Sequence, residues 1–173
     1  MDYYRNDDSL YRTEIFQHYL KRIMGLRKSS SPLVNNMTKL FFSCHGYMAS
    51  GMKKSLDILT GDTSKLDVFD AYVNEDNLED VVQNFLDKTD DEDMVILLSD
   101  MYGGSVNQVL YQFAAQKNIP LITGVNLPLL LELLTAANFD SLNQGRIEQI
   151  VDSAKETIMI VDTKQKNVDE NFF

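Results

Sequence analysis

Met94-Val-Ile-Leu-Leu-Ser99, followed by Asp100-Met-Tyr-Gly103-Gly104-Ser105, decides the reading of the fold. A strand with one face in water alternates apolar and polar residues; this one is apolar throughout, as a strand covered on both faces of a parallel sheet must be. Gly103-Gly104 then leads into a helix carrying Val106, Val109, Leu110 and Phe113 at helical spacing. Working outward, the unit repeats. Lys39-Leu-Phe-Phe-Ser-Cys44 precedes a helix over Tyr47–Thr60 with Met48, Met52, Ser55, Leu56 and Leu59 on one side. Leu66-Asp-Val-Phe-Asp-Ala-Tyr72 alternates like a strand and precedes a helix over Asn77–Leu86; Ile119-Pro-Leu-Ile-Thr-Gly124 precedes another over Leu127–Ala137. Regular strand–helix alternation with short connections predicts an α/β class, an open, mostly parallel four-stranded sheet with helices on both faces. After a last helix over Gln144–Glu156, Thr157-Ile-Met-Ile-Val-Asp162 has no helix to follow it. It reads as a C-terminal edge strand whose exposed rim a partner subunit would cover.

The segment before this alternation has a different character. Residues 1–36 carry six basic and four acidic side chains, whereas residues 37–173 carry ten and twenty-two. Tyr11, Ile15, Tyr19 and Ile23 predict an amphipathic helix over about 9–26, and Lys28-Ser-Ser-Ser-Pro32 stops it. The expected organisation is an N-terminal extension over 1–36, a functional domain over 37–162 and a polar tail over 163–173.

Composition narrows the function. The 173 residues are 44% hydrophobic and 24% charged, enough for one globular core. A formal charge of −10 repels phosphate backbones and anionic lipid, so neither nucleic acid nor a membrane surface is an expected partner. One cysteine, Cys44, excludes an intrachain disulfide, and two histidines, His18 and His45, are too few for a Cys/His zinc cage. The start, MDYYRNDDSL, lacks the order of a signal peptide, and no apolar run is long enough to span a bilayer, so a cytoplasmic location is expected.

In an open parallel sheet, reactive groups gather beyond the carboxyl ends of the strands. That rim holds Ser43-Cys44-His45-Gly46, then Asp100 with Gly103-Gly104-Ser105, then Gly124-Val-Asn126-Leu-Pro128. A neutral imidazole is nucleophilic, and a carboxylate on its other nitrogen fixes the tautomer and stabilises the cation formed on attack, which gives Asp100 a role beside His45. Gly46, Gly103, Gly104 and Ser105 offer backbone N–H groups and a helix N-terminus to the oxygens of a phosphoryl group. The set suits reversible phosphohistidine formation and calls for no cofactor and no metal. Cys44 and His45 are adjacent on a strand and point to opposite faces, which argues against a thiol hydrolase. Cys44 reads as a small buried residue, Asp87 with Asp90–Asp93 as a solvated loop, and Ser105 equally as a helix cap or a phosphate ligand. Asn126-Leu-Pro128 reads as a turn into the fourth helix.

SCHGYMASGMKKSLDILTG (43–61), VILLSDMYGGSVNQ (95–108) and GVNLPLLLELL (124–134) resemble the three signature segments of the mannose-family EIIA proteins of the bacterial phosphoenolpyruvate-dependent sugar phosphotransferase system. The resemblance spans about 37–162. It implies a phosphotransferase that takes a phosphoryl group from phospho-HPr onto His45 and passes it to a histidine of the cognate EIIB, with the membrane EIIC and EIID subunits engaged only indirectly. It also implies a homodimer in which the final strand is exchanged between subunits and paired antiparallel. By the same resemblance Asp100 orients His45 and Ser105 sits by the phosphoryl group. The family usually has Pro after GGS where this chain has Val106, a difference expected to matter little at the start of a helix. Two alternatives stand beside this reading. One is the phosphoryl-donor subunit of a dihydroxyacetone kinase or a regulatory EIIA-like domain. The other is a flavodoxin-like binding module, which would want stacking aromatics or an acidic cluster after the first strand.

Overall fold

Parallel pairing puts four strands in the order β2-β1-β3-β4, where β1 is Thr38–His45, β2 Leu66–Ala71, β3 Met94–Ser99 and β4 Leu121–Thr123. This computed structural model describes residues 37–139 and 142–160, and those up to Ile158 belong to one compact unit. The helix expected over 9–26 and the tail over 163–173 lie outside the described residues.

The inner strands are apolar because both of their faces are covered. On one face Phe41, Val95 and Leu97 pack with Val82, Phe85 and Leu86 of helix α2 (Leu78–Leu86) and with Val106, Leu110 and Ala114 of helix α3 (Ser105–Lys117). Strand alternation sends Leu40, Phe42, Ile96 and Leu98 to the other face, all fully buried. That face is covered by helix α1 (Met48–Thr60) and helix α4 (Leu127–Phe139), and α4 in turn carries helix α5 (Gln144–Lys155). The expected class, parallel sheet and two helical layers are all present.

Three differences from the sequence reading have physical causes. The fourth strand is shorter than 119–124: Pro120 has no N–H to give, so it contributes only its carbonyl, which accepts from the Leu97 N–H at 3.0 Å. Asp93 is not part of a solvated loop. Lys39 Nζ meets its carboxylate at 3.0 Å and the Met37 N–H donates to it, tying the entrances of β1 and β3 together. Burial pushes the Asp93 carboxyl up, but hydrogen bonds from Lys39, Asp90 and Met37, with the Lys39 charge, together outweigh that and hold it below the usual carboxylate range. Residues 157–160 are in no strand: the Thr157 N–H closes a turn on the Ala154 carbonyl at 3.2 Å, and Ile158 is exposed. Residues 161 and 162 of the expected edge strand lie outside the described residues.

The first turn of α1 is anchored from outside. Tyr47 at its N-cap supplies no side-chain bond, and the Ser50 N–H instead donates to Asp70 Oδ1 of β2 at 3.0 Å. An orphan donor of the helix start is thus satisfied by the neighbouring strand. Asp70→Ala is expected to lower the unfolding free energy by about 1 kcal/mol, read from urea denaturation. Asp67→Ala, at an exposed position on the same strand, should stay within about 0.5 kcal/mol of wild type.

Candidate functional site

The carboxyl ends of β1 and β3 adjoin because Ser43 is in register with Ser99. His45, the last residue of β1, therefore stands beside Asp100, the first residue past β3. Asp100 Oδ2 accepts two hydrogen bonds from His45, one from its backbone N–H at 3.0 Å and one from Nδ1 at 2.7 Å. Asp100 Oδ1 accepts from the Met101 N–H at 2.8 Å, and the Asp100 carbonyl accepts from the Gly124 N–H at 3.0 Å. The carboxylate is thereby fixed at the ends of β1 and β3, and the Asp100 backbone at the end of β4. Burial raises the carboxylate's pKa, but the His45 and Met101 donors, joined by the charge of His45 whenever that ring is protonated, outweigh burial and hold it below the ordinary carboxylate range.

With Nδ1–H donated to a carboxylate, Nε2 carries the lone pair. It accepts from Ser105 Oγ at 3.0 Å. The imidazole is 39% exposed and the carboxylate 14%, so the ring reaches solvent while its brace does not. Ser105 is the first residue of α3; Gly104 is its cap, with no side-chain hydrogen bond at that end. The cap reading of Ser105 is corrected here, because its hydroxyl faces the imidazole. Val106 occupies the second helical position and is fully buried in the core.

The glycines divide by function. Gly46 and Gly103 adopt left-handed backbone, φ 64° and 75°, which permits the sharp turns on either side of the ring. Their N–H groups are already engaged: Gly46 donates to the Ala71 carbonyl and Gly103 to Asn107 Oδ1, each at 3.0 Å. Gly104 is needed for closeness. A Cβ there would stand 2.8 Å from Met101 Cγ and 3.4 Å from His45 Cε1. The N–H groups of Ser105 and Val106, at the first positions of α3, have no acceptor within the helix.

Two residues at the site escape a reading by motif. Asn107 is buried; it accepts from Gly103 N–H and donates from Nδ2 to Ser99 Oγ at 2.9 Å, bracing the glycine loop against the end of β3. Its signal in sequence is a single amide in the buried stripe of an otherwise apolar helix face. Tyr72 follows β2, and its ring lies 5.4 Å from the His45 ring, centre to centre. Asn126 caps α4 through the Leu129 N–H at 2.9 Å and does not meet His45 Nε2. Cys44 points away into the core, and burial pushes its thiol up to about 11, which leaves it no thiolate character near neutrality. His18 lies outside the described residues. Among the described residues no group of three or more His, Cys, Asp or Glu could hold a metal ion, and no helix is long and apolar enough to cross a membrane.

The site is thus a four-stranded parallel sheet that pairs an imidazole with a carboxylate across two adjacent strand ends. Residues 39–151 match the family EIIA-man, described as the fructose IIA component of the phosphotransferase system, and the chain belongs to that family. The mannose-specific EIIAB component of Escherichia coli K12 is 27% identical over 124 residues, a match covering 69% of this chain. The chain spans only 38% of the length of that relative. Among solved structures, the PTS IIA protein associated with the fucose utilization operon of Streptococcus pneumoniae superposes with a TM-score of 0.61 at 27% identity, covering 72% of this chain and 93% of that one. The mannose/sorbose specific IIA subunit of Enterococcus faecalis gives 0.64 at 17% identity, covering 76% and 99%, a likeness of fold.

Because the folded pKa of Asp100 lies below its unfolded value, its contribution to stability is present above the ordinary carboxylate range and is lost as pH falls through the folded value. Asp100→Asn keeps the shape and removes the charge. Its deficit against wild type in urea midpoint should be full at neutral pH and shrink below about pH 4, the unperturbed Asp range. A deficit that stays constant down to pH 2 would contradict the assignment of charge to these hydrogen bonds.

Proposed function

We propose that this protein carries a phosphoryl group on His45 Nε2 within a sugar phosphotransferase system, receiving it from phospho-HPr and delivering it to a histidine of an EIIB domain. The observation that carries the reading is the ring's division of labour: Nδ1 is tied to Asp100 at 2.7 Å, and Nε2 meets only a hydroxyl that can turn aside. In the first step the Nε2 lone pair attacks phosphorus. The phosphorus–nitrogen bond to the donor histidine breaks, and its electron pair returns to the donor imidazole. Nδ1 keeps its proton throughout, so positive charge develops on the His45 ring and Asp100 balances it. The second step is the same displacement in reverse, with the EIIB imidazole as nucleophile. One phosphohistidine replaces another, so positioning and charge stabilisation are the tasks left to the protein.

The incoming phosphoryl oxygens take over the Ser105 hydroxyl and the free N–H groups of Ser105 and Val106 at the start of α3, where the helix dipole favours negative charge. Gly46, Gly103 and Gly104 shape this cradle by conformation and by lacking side chains. Tyr47, Met48, Met101 and Tyr102, close in sequence to His45 and Asp100, are exposed and would form an apolar collar for two different docking proteins, with methionine able to adapt to both. The acidic balance of the chain would steer basic faces toward it.

The quaternary proposal is a homodimer in which residues 157–162 of each chain pair with the free edge of β4 in the other. One observation supports it. A groove of about 790 Å³ runs between that edge and α5, lined by Leu121, Ile122 and Thr123 on one side and Ile147 and Val151 on the other.

Incubation with phosphoenolpyruvate, Enzyme I and HPr should place an acid-labile, alkali-stable phosphate on the protein. His45→Ala should abolish the labelling and His18→Ala should leave it unchanged; label surviving His45→Ala would refute the site. In light scattering the full chain should have a dimer's mass, and Ile158→Asp with Ile160→Asp should yield monomers. A monomeric wild type would refute the exchanged strand.

A further inference from the structure

Tyr72 stands in a backbone conformation that a tyrosine rarely adopts. Its φ is 64°, in the left-handed region where a Cβ is crowded and glycine is the usual occupant. Nothing in core packing calls for it, because the side chain is 63% exposed. The consequence is one of direction. Ala71 is in register with His45 at the ends of β2 and β1, so a further extended residue would send its side chain to the opposite face, beside Cys44. The left-handed turn breaks the alternation and brings the Tyr72 ring against the imidazole, centroids 5.4 Å apart and planes inclined by 33°.

The imidazole is otherwise held at its edges. Asp100 takes Nδ1, Ser105 takes Nε2, and Gly104 leaves the Cε1 edge room. Once a phosphoryl group occupies Nε2, the Ser105 bond to that nitrogen is gone. The ring is then fixed by Asp100 at one nitrogen, and by whatever lies on its face. It also carries its positive charge at that moment, with Asp100 the charged group against it. An aromatic face attracts such a cation. Resting on the reading of His45 as the phosphorylated residue, we infer that Tyr72 is a positioning residue: strained backbone holds its ring over the imidazole so that the phosphorylated, cationic ring keeps its transfer orientation.

The test uses Tyr72→Phe, Tyr72→Leu and Tyr72→Gly in the full chain. Three quantities are read: the ring-current shift of the His45 carbon-bound protons by NMR, the single-turnover rate from phospho-HPr, and the thermal midpoint. Tyr72→Phe should match wild type in all three. Tyr72→Leu and Tyr72→Gly should lose the ring-current shift and slow transfer by about 3- to 10-fold, the range a cation–π contact at a partly exposed site supplies. Tyr72→Gly should do so with a thermal midpoint no lower than wild type, since glycine relieves the backbone strain. Wild-type transfer in Tyr72→Leu, or a loss of rate in Tyr72→Gly that merely follows a lowered midpoint, would overturn the inference. The NMR shift is independent of any phosphate: a wild type that shows it yet takes no label refutes the phosphohistidine reading, whereas one that takes label without it refutes the role of Tyr72.

Discussion

One carboxylate oxygen organises the functional end of this molecule. Asp100 Oδ2 accepts from both the backbone and the ring of His45. The first bond fixes where β1 ends relative to β3; the second fixes which imidazole nitrogen keeps the proton. A single acceptor thus couples strand register to chemical reactivity. Sheet and site are linked in both directions, since the register of Ser43 with Ser99 is what brings the two residues within reach.

Around that bond several residues take up left-handed backbone, which costs stability at the tyrosine and none at the glycines. Gly46, Tyr72 and Gly103 all have positive φ, and all three flank the imidazole. Asn107, an amide in the buried stripe of α3, secures the loop holding Gly103 by hydrogen bonds at both ends of its side chain. A buried amide satisfied at both ends is tolerable, and one left half-paired would not be. The layer of helices and strands below is plain apolar packing, and it is this that can sustain strain at the rim.

The sequence was most legible where a single physical rule acts alone. Met94–Ser99 is apolar because both faces are covered, and its bounds were read to the residue. His45, Asp100 and Ser105 were legible together, since strand ends in a parallel sheet converge and their side-chain chemistry is unmistakable; the structure brings all three into direct contact. Legibility failed where two elements far apart in sequence share a group. Asp70 anchors α1 from β2, Asp93 is drawn out of a charged run by Lys39, and Tyr72 turns toward a histidine 27 positions before it. None of these follows from local periodicity, because each depends on register between strands. The glycines were legible as glycines but not by role: spacing cannot tell whether an N–H is free, and those of Gly46 and Gly103 are not.

The charge of the molecule and the chemistry of its proposed site pull in opposite directions, and the geometry reconciles them. A chain of net charge −10 repels free phosphate at long range. Within a few ångströms of Nε2, however, the field is set by the uncapped start of α3 and by a carboxylate whose charge is turned inward onto Nδ1. Attraction for an anion is therefore confined to the immediate surroundings of Nε2. A free anion diffusing through solvent meets the repulsive far field first, whereas a phosphoryl group mounted on a protein with a basic face is carried through it. Under the proposed phosphocarrier role, the far field that discourages small phosphates would favour a macromolecular donor with a basic face, so that selectivity would come from docking.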